Sequence, residues 1–331
     1  MTRVSALFAG ASTAAFMVAS AAAQTIDLGT DQVGSVVNTT GTTLAKVISQ
    51  NSPITVRARA FAGPEAWMPE MDTGRIAIGV HLTASFYTAY NNFETKLHLK
   101  NLRIIRSSSG TAGLGFMTRA DSDIKTVSDL KGKRVPGVYG GQPVIRVLVE
   151  ATLKAYGLSY GALTTVPVIN AVQGVAAVVD GRADASWASP SMPQIREAHA
   201  KVGVRFIPLA GLSPAQEDEI RRNSFPSIYV ERFGSAATPF LPPGTPLLTQ
   251  EMYVGASTHT PDDVVKAVLK GLWDAEADLI KAHPVMRGFV NRAAVTTRPV
   301  VPYHPAAIAF YKEKGVWTQT AEDAHLALLK K

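Results

Sequence analysis

Val135 to Val144 reads V-P-G-V-Y-G-G-Q-P-V, a short apolar strand that runs through a glycine-rich turn straight into a helix. A turn of this kind aims bare backbone N–H groups at whatever lies beyond the strand end. Thr25 to Val36, T-I-D-L-G-T-D-Q-V-G-S-V, has the same grammar, with Ser35 or a neighbour placed to cap the helix that follows. Two such helix starts in two halves of one chain predict a cleft that holds an anion.

Outward from these turns, strand and helix alternate. Strands at Thr25 to Leu28, Ile54 to Ala60 and Ile76 to Val80 take turns with amphipathic stretches at Ser35 to Ser49 and Glu65 to Asp72. That spacing reads as β-α-β units around a mostly parallel sheet. An extended run, Gly113 to Thr118, leads into polar sequence, and the alternation restarts with strands Arg134 to Val138, Thr164 to Val168, Ala183 to Trp187 and Val204 to Pro208. Helices Val144 to Tyr156, Ala171 to Val179 and Met192 to Lys201 lie between them. The expected organisation is an α/β chain of two lobes. Residues 24–118 with 250–331 form lobe I, residues 119–249 form lobe II, and crossings near Thr118 and Met252 join them. Within lobe I, Thr260 and Pro261 open a helix predicted to run to Ala282, and a last helix spans Pro305 to Lys314.

The 331 residues suffice for two domains with cores of their own. Met1 to Ala23 carries Arg3, an apolar stretch and Ala21-Ala22-Ala23, the pattern of a secretory signal cleaved near Ala23, and places the mature chain in the periplasm. There is no cysteine, so disulfides, thiolate metal sites and thiol nucleophiles are excluded. The formal charge of +7, or +6 without Arg3, is spread singly and in pairs, which argues against nucleic acid as a partner. No H-E-x-x-H, G-x-S-x-G, phosphate-loop or dinucleotide fingerprint occurs, and none of the seven histidines sits three or four residues from another. No catalytic group, metal or cofactor is therefore assigned. His81 ends a strand where open sheets bind ligands, and either touches the ligand or packs beside the hinge. Trp187 either floors the cleft or belongs to the core. Arg59, Arg106 and Arg146 lie near loops drawn toward the cleft, and each is equally readable as a surface charge.

Five stretches together resemble a known family. They are G-T-x-x-x-G-S at Gly29, L-K-G-K-R-V-P-G-V-Y-G-G at Leu130, D-G-R-A-D-A at Asp180, T-P-D-D-V-V-K-A at Thr260 and P-Y-H-P-A-A-I-A-F-Y-K-E-K-G-V-W at Pro302. In this order they look like the TAXI-type substrate-binding receptors of TRAP transporters. The resemblance implies a type II periplasmic-binding-protein fold, a monomer that closes on a small organic anion such as a carboxylate or amino acid, and delivery to an ion-driven membrane permease. It also implies ligand contacts at Asp31, Gln32, Val33, Gly34 and Ser35, at Phe61 and Gly63, and at His81, Leu82 and Thr83. On the other lobe it implies Tyr139, Gly140, Gly141 and Gln142, with Ser186, Trp187 and Ser189. The chain departs from the family at Asp31, Gln32 and Val33, where glycines are usual, and at Leu82 and Ala84, where polar residues are common. A receptor that signals to a sensor kinase is the alternative the same fold allows.

Overall fold

The computed structural model describes residues 24–93, 96–110, 113–236 and 238–330, so the expected leader lies outside the described residues. The chain runs β1 (Thr25–Thr30), α1 (Val36–Asn51), β2 (Thr55–Ala60), α2 (Pro64–Asp72), β3 (Ile78–Leu82), α3 (Thr83–Asn91) and β4 (Leu102–Ser107). It then crosses to β5 (Gly115–Arg119), β6 (Arg134–Tyr139), α4 (Pro143–Ala155), β7 (Thr164–Val168), α5 (Ala171–Val179), β8 (Ala185–Ala188), α6 (Pro193–Val202) and β9 (Val204–Phe206). After α7 (Pro214–Asn223), β10 (Tyr229–Phe233) and β11 (Thr245–Thr249) it returns as β12 (Met252–Ser257), followed by α8 (Asp262–Asp274), α9 (Glu276–Ala282), α10 (Pro305–Glu313) and α11 (Gln319–Leu329).

The first sheet has the order β2-β1-β3-β12-β4, with β1 parallel to β2 and β3, and the returning β12 antiparallel to β3 and β4. In the second lobe β5 lies antiparallel between β8 and β9, while β6 pairs with β7 in parallel. The Asp184 N–H donates to the Arg134 carbonyl at 2.8 Å, which sets β8 beside β6. The pair β7-β6 thus lies alongside the sheet β8-β5-β9, and each lobe contains one strand contributed by a crossing. This is the two-lobed α/β fold of type II periplasmic binding proteins.

Glycines in the first sheet answer to one ring. A Cβ at Gly29 or Gly79 would come within 2.7 or 2.1 Å of Trp67, so both strands must stay bare for α2 to lay its tryptophan flat against them. Trp67 is fully buried there, at the C-terminal end of the sheet where β1 and β3 deliver their last residues. Close approach of this kind is what strand glycine supplies.

The chain leaves the first sheet at Ser107 and enters the second at Gly115, so Thr118 sits inside β5 and already belongs to the second sheet. We accordingly propose that the lobes divide between Ser107 and Gly115 and again between Thr249 and Met252. Backbone bonds between Leu114 and Leu248, at 2.7 and 3.0 Å, bind the two crossings together. The helix expected from Pro261 to Ala282 is two helices that meet at Ala275. Asn291 explains the break, because its side chain donates to the Trp273 carbonyl and its N–H takes the Glu276 carboxylate. Thr260 does not cap the helix: its hydroxyl donates to the Ala77 carbonyl, tying the helix start to the strand before it.

Candidate ligand-binding site

Strand β1 is followed directly by Asp31, a fully buried carboxylate with no Lys or Arg paired to it among the described residues. A carboxylate in that position needs donors. Trp67 Nε1 donates at 3.4 Å, His81 Nε2 at 3.0 Å and Gln142 Nε2 at 2.6 Å. The turn that places Asp31 is held by local bonds. Gly34 adopts φ 89°, Ser35 Oγ accepts the Asn38 N–H at 3.0 Å, and Asn38 Nδ2 reaches back to Thr30 Oγ1 at 3.0 Å. Trp67 and His81 come from lobe I, whereas Gln142 is the residue on which α4 of lobe II begins. Its other amide atom, Oε1, accepts the first N–H of α5, that of Ala171, at 3.0 Å. One glutamine side chain thus joins the floor of one lobe to two helix starts of the other.

The same seam is tight elsewhere. A Cβ at Gly63 of lobe I would lie 2.0 Å from the Gly141 carbonyl oxygen of lobe II, and one at Gly34 would lie 1.8 Å from the Gln194 amide. The lobes are closed on one another. Between them lies a cavity of about 60 Å³. Five helix starts contribute to its wall, through Val36 and Val37 of α1, Ser85 of α3, Val144 of α4, Ala171 of α5 and Met192 just before α6. Helix N-termini carry partial positive charge, although the first-turn N–H groups of Asn38, Ala84 and Ala171 are already taken by Ser35 Oγ, Gln250 Oε1 and Gln142 Oε1.

The sequence model of the NMT1-like family matches residues 28–315. The chain belongs to that family. This corrects the reading as a TAXI-type TRAP receptor, because the match is to the NMT1-like family and the similar solved structures are sulphonate- and phosphonate-binding proteins. The periplasmic aliphatic sulphonate binding protein SsuA from Escherichia coli is 15% identical, with 92% of this chain and 97% of that one covered at a TM-score of 0.50. The alkanesulfonate-binding SsuA of Xanthomonas axonopodis pv. citri bound to MOPS is also 15% identical, with 92% and 99% covered and a TM-score of 0.52. PhnD1 from Prochlorococcus marinus in complex with methylphosphonate is 10% identical, with 89% and 99% covered and a TM-score of 0.52. At these identities the likeness is one of fold.

Within this NMT1-like chain, seven of the residues singled out from sequence line the cavity: Asp31, Ser35, His81, Leu82, Gln142, Trp187 and Ser189. The others do not. Val33 is 74% exposed, Gly34, Gly63 and Gly141 form the seam, and a Cβ at Gly140 would meet open space. Thr83 spends its hydroxyl on Ser227 and Gln250, Phe61 lies under the Arg59 guanidinium, and Gln32, Tyr139 and Ser186 take no part in the wall. Burial pushes the Tyr139 phenol up, so it stays neutral. Sequence reading missed Ser85 and Gln250. Gln250 sits in the second crossing, where its Oε1 accepts the Ala84 N–H at 2.7 Å. Only tertiary folding brings that crossing to α3.

No lysine or arginine lines the cavity. Arg59 pairs with Asp27 at 3.1 Å, Arg106 donates to the Phe289 carbonyl and Asn291 Oδ1, and Arg146 lies over the Tyr160 ring. Glu65, in the first turn of α2, is raised by burial, with His81 opposing the shift. Three buried atoms on cavity residues have no protein partner: His81 Nδ1, Ser85 Oγ and Trp187 Nε1. Among the described residues no group of three or more His, Asp or Glu is placed to hold a metal ion.

Proposed function

We propose that this chain is an extracytoplasmic solute receptor, which closes its two lobes on a small organic anion and presents the closed complex to a membrane transporter. The observation that carries the reading is the cavity itself, walled by both lobes and sealed by the cross-lobe bond from Gln142 to Asp31. A site shared between two bodies that meet at two crossings is built to open and close. The anion follows from the five helix starts and the partnerless donors of Ser85 and Trp187. Asp31 does not oppose it, since its charge is already met by three donors.

The receptor reading also fits better than hydrolysis. Asp31 and His81 make a carboxylate–imidazole pair, but Ser85 Oγ and His81 Nδ1 each lack any partner, so the pair does not extend to a nucleophile. The similar structures named above are binding proteins for small oxyanions by their own names, which agrees with this choice. The leader pattern at Met1 to Ala23 supports export.

Calorimetry against small organic acids, followed by small-angle scattering with the acid that binds, tests the proposal. Binding should stabilise the native state by mass action, by about 2.7 kcal/mol at 100 times Kd, and so raise the melting temperature. The radius of gyration should shrink as the lobes close. Binding without compaction would remove the closing receptor.

A further inference from the structure

We infer that the solute is a short-chain hydroxymonocarboxylate, its carboxylate held by Ser85 and Trp187 and its hydroxyl by His81, with no lysine or arginine at the site. This deepens the receptor reading and rests on it. The partnerless atoms define what a ligand must supply. Trp187 Nε1 can only donate, and the Ser85 hydroxyl donates readily, so two acceptors are required, one reached from each lobe. The two oxygens of a carboxylate meet that demand. His81 is different. Its Nε2 faces a carboxylate, which only accepts, so that nitrogen carries a proton, and Nδ1 accepts where it is bare. A ligand hydroxyl donates to it.

The charge inventory excludes other acids. A dicarboxylate would bury a second negative charge in a wall without lysine or arginine. An α-amino acid would need several acceptors for its ammonium group. Asp31 has three of its four acceptor positions filled, Gln142 Oε1 is spent on Ala171, and Gln250 Oε1 on Ala84 and Thr83. A sulfonate brings a third oxygen, one more than the two partnerless side-chain donors. Size adds its own limit. A cavity of about 60 Å³ admits only a small solute, and Val36, Val37, Leu114, Ile145, Leu148 and Met192 offer its tail only apolar surface.

The test is a calorimetric panel on the purified protein: lactate, 2-hydroxybutyrate, 3-hydroxybutyrate, butyrate, propanesulfonate, succinate and glutamate. At least one hydroxy acid should bind tenfold more tightly than butyrate and a hundredfold more tightly than propanesulfonate, succinate and glutamate. Any other ranking, or no binding by the hydroxy acids, overturns the inference. Ser85→Ala and Trp187→Phe should each weaken the best ligand at least tenfold, and unchanged affinity in either folded variant also overturns it. Scattering on whichever ligand binds separates the two levels of argument. Compaction with succinate or glutamate sinks the ligand class alone, whereas binding without compaction sinks the receptor reading beneath it.

Discussion

In the receptor reading, Asp31 is a buried carboxylate whose third donor depends on the position of the other lobe. Two of its donors, Trp67 and His81, belong to its own lobe and stay with it in any arrangement, while Gln142 arrives only when the lobes meet. Hydrogen bonds to charged groups contribute about 1.5–3 kcal/mol. Gln142→Ala removes that bond and the one to Ala171, and the ligand affinity should fall roughly 10- to 100-fold. The melting temperature without ligand should fall only a little, because open lobes lack the bond to Asp31 and lose only the one to the Ala171 N–H within lobe II. Calorimetry and a thermal melt check both parts. At this scale the sequence was partly legible. Asp31, His81, Gln142 and Trp187 stood out because turns and strand ends have local signatures, whereas nothing local tells Thr83, whose hydroxyl bonds away from the cavity, from Ser85, which lines it.

At the scale of elements, the helix starts were readable from their small residues, caps and prolines, and both turns that opened the reading lead into helices that reach the cavity wall. The break between α8 and α9 was not readable, since its cause is Asn291, which lies beyond both helices in sequence. The crossings carry a titratable joint. Glu251, between β11 and β12, accepts from Ser107 Oγ at 3.1 Å and Thr296 Oγ1 at 3.2 Å, and so ties the two crossings to the C-terminal region. Burial raises its pKa; the two hydroxyls and Arg298 oppose that shift only in part. The folded state therefore holds the proton more tightly than the unfolded chain. The stability it contributes is full below the ordinary glutamate range, about pH 4, and is lost as the pH rises through the folded pKa. Glu251→Gln keeps a partner for both hydroxyls without the buried charge. Its melting temperature should exceed that of the parent protein at neutral pH, and the gap should close toward pH 4. A constant gap across that window would show that the charge is not what matters.

For the whole molecule, alternation of strand and helix foretold two α/β lobes, because each β-α-β unit has a local period. The order β2-β1-β3-β12-β4 was out of reach of such a period: β12 inserts after a long excursion through the other lobe. Family assignment by short motifs failed for a related reason. Glycine turns and D-G-R steps report the architecture that many binding proteins share. Gly63 offers a direct test of closure. Its backbone is extended, with φ 170°, so alanine fits the open fold, and all the atoms nearest a Cβ there belong to lobe II. Gly63→Ala should fold with an unchanged melting temperature yet lose ligand binding at least a hundredfold, and scattering should show lobes that stay apart when ligand is added. Retained binding with compaction would mean that the seam gives way easily.

The narrow gap between Ala62 and Gly141, where a Cβ on the glycine would stand 3.3 Å from the opposite carbonyl, can also serve as a clock. The chain has no thiol of its own. Ala62→Cys together with Gly141→Cys would place two sulfurs on either side of that gap, able to bond only while it is shut. Under mild oxidation each closing event then has a chance of becoming permanent, and the cross-linked band on a gel accumulates at a rate proportional to the time spent shut. Ligand should speed that accumulation; an equal rate without it would reveal lobes that shut unaided and leave the solute only to keep them there.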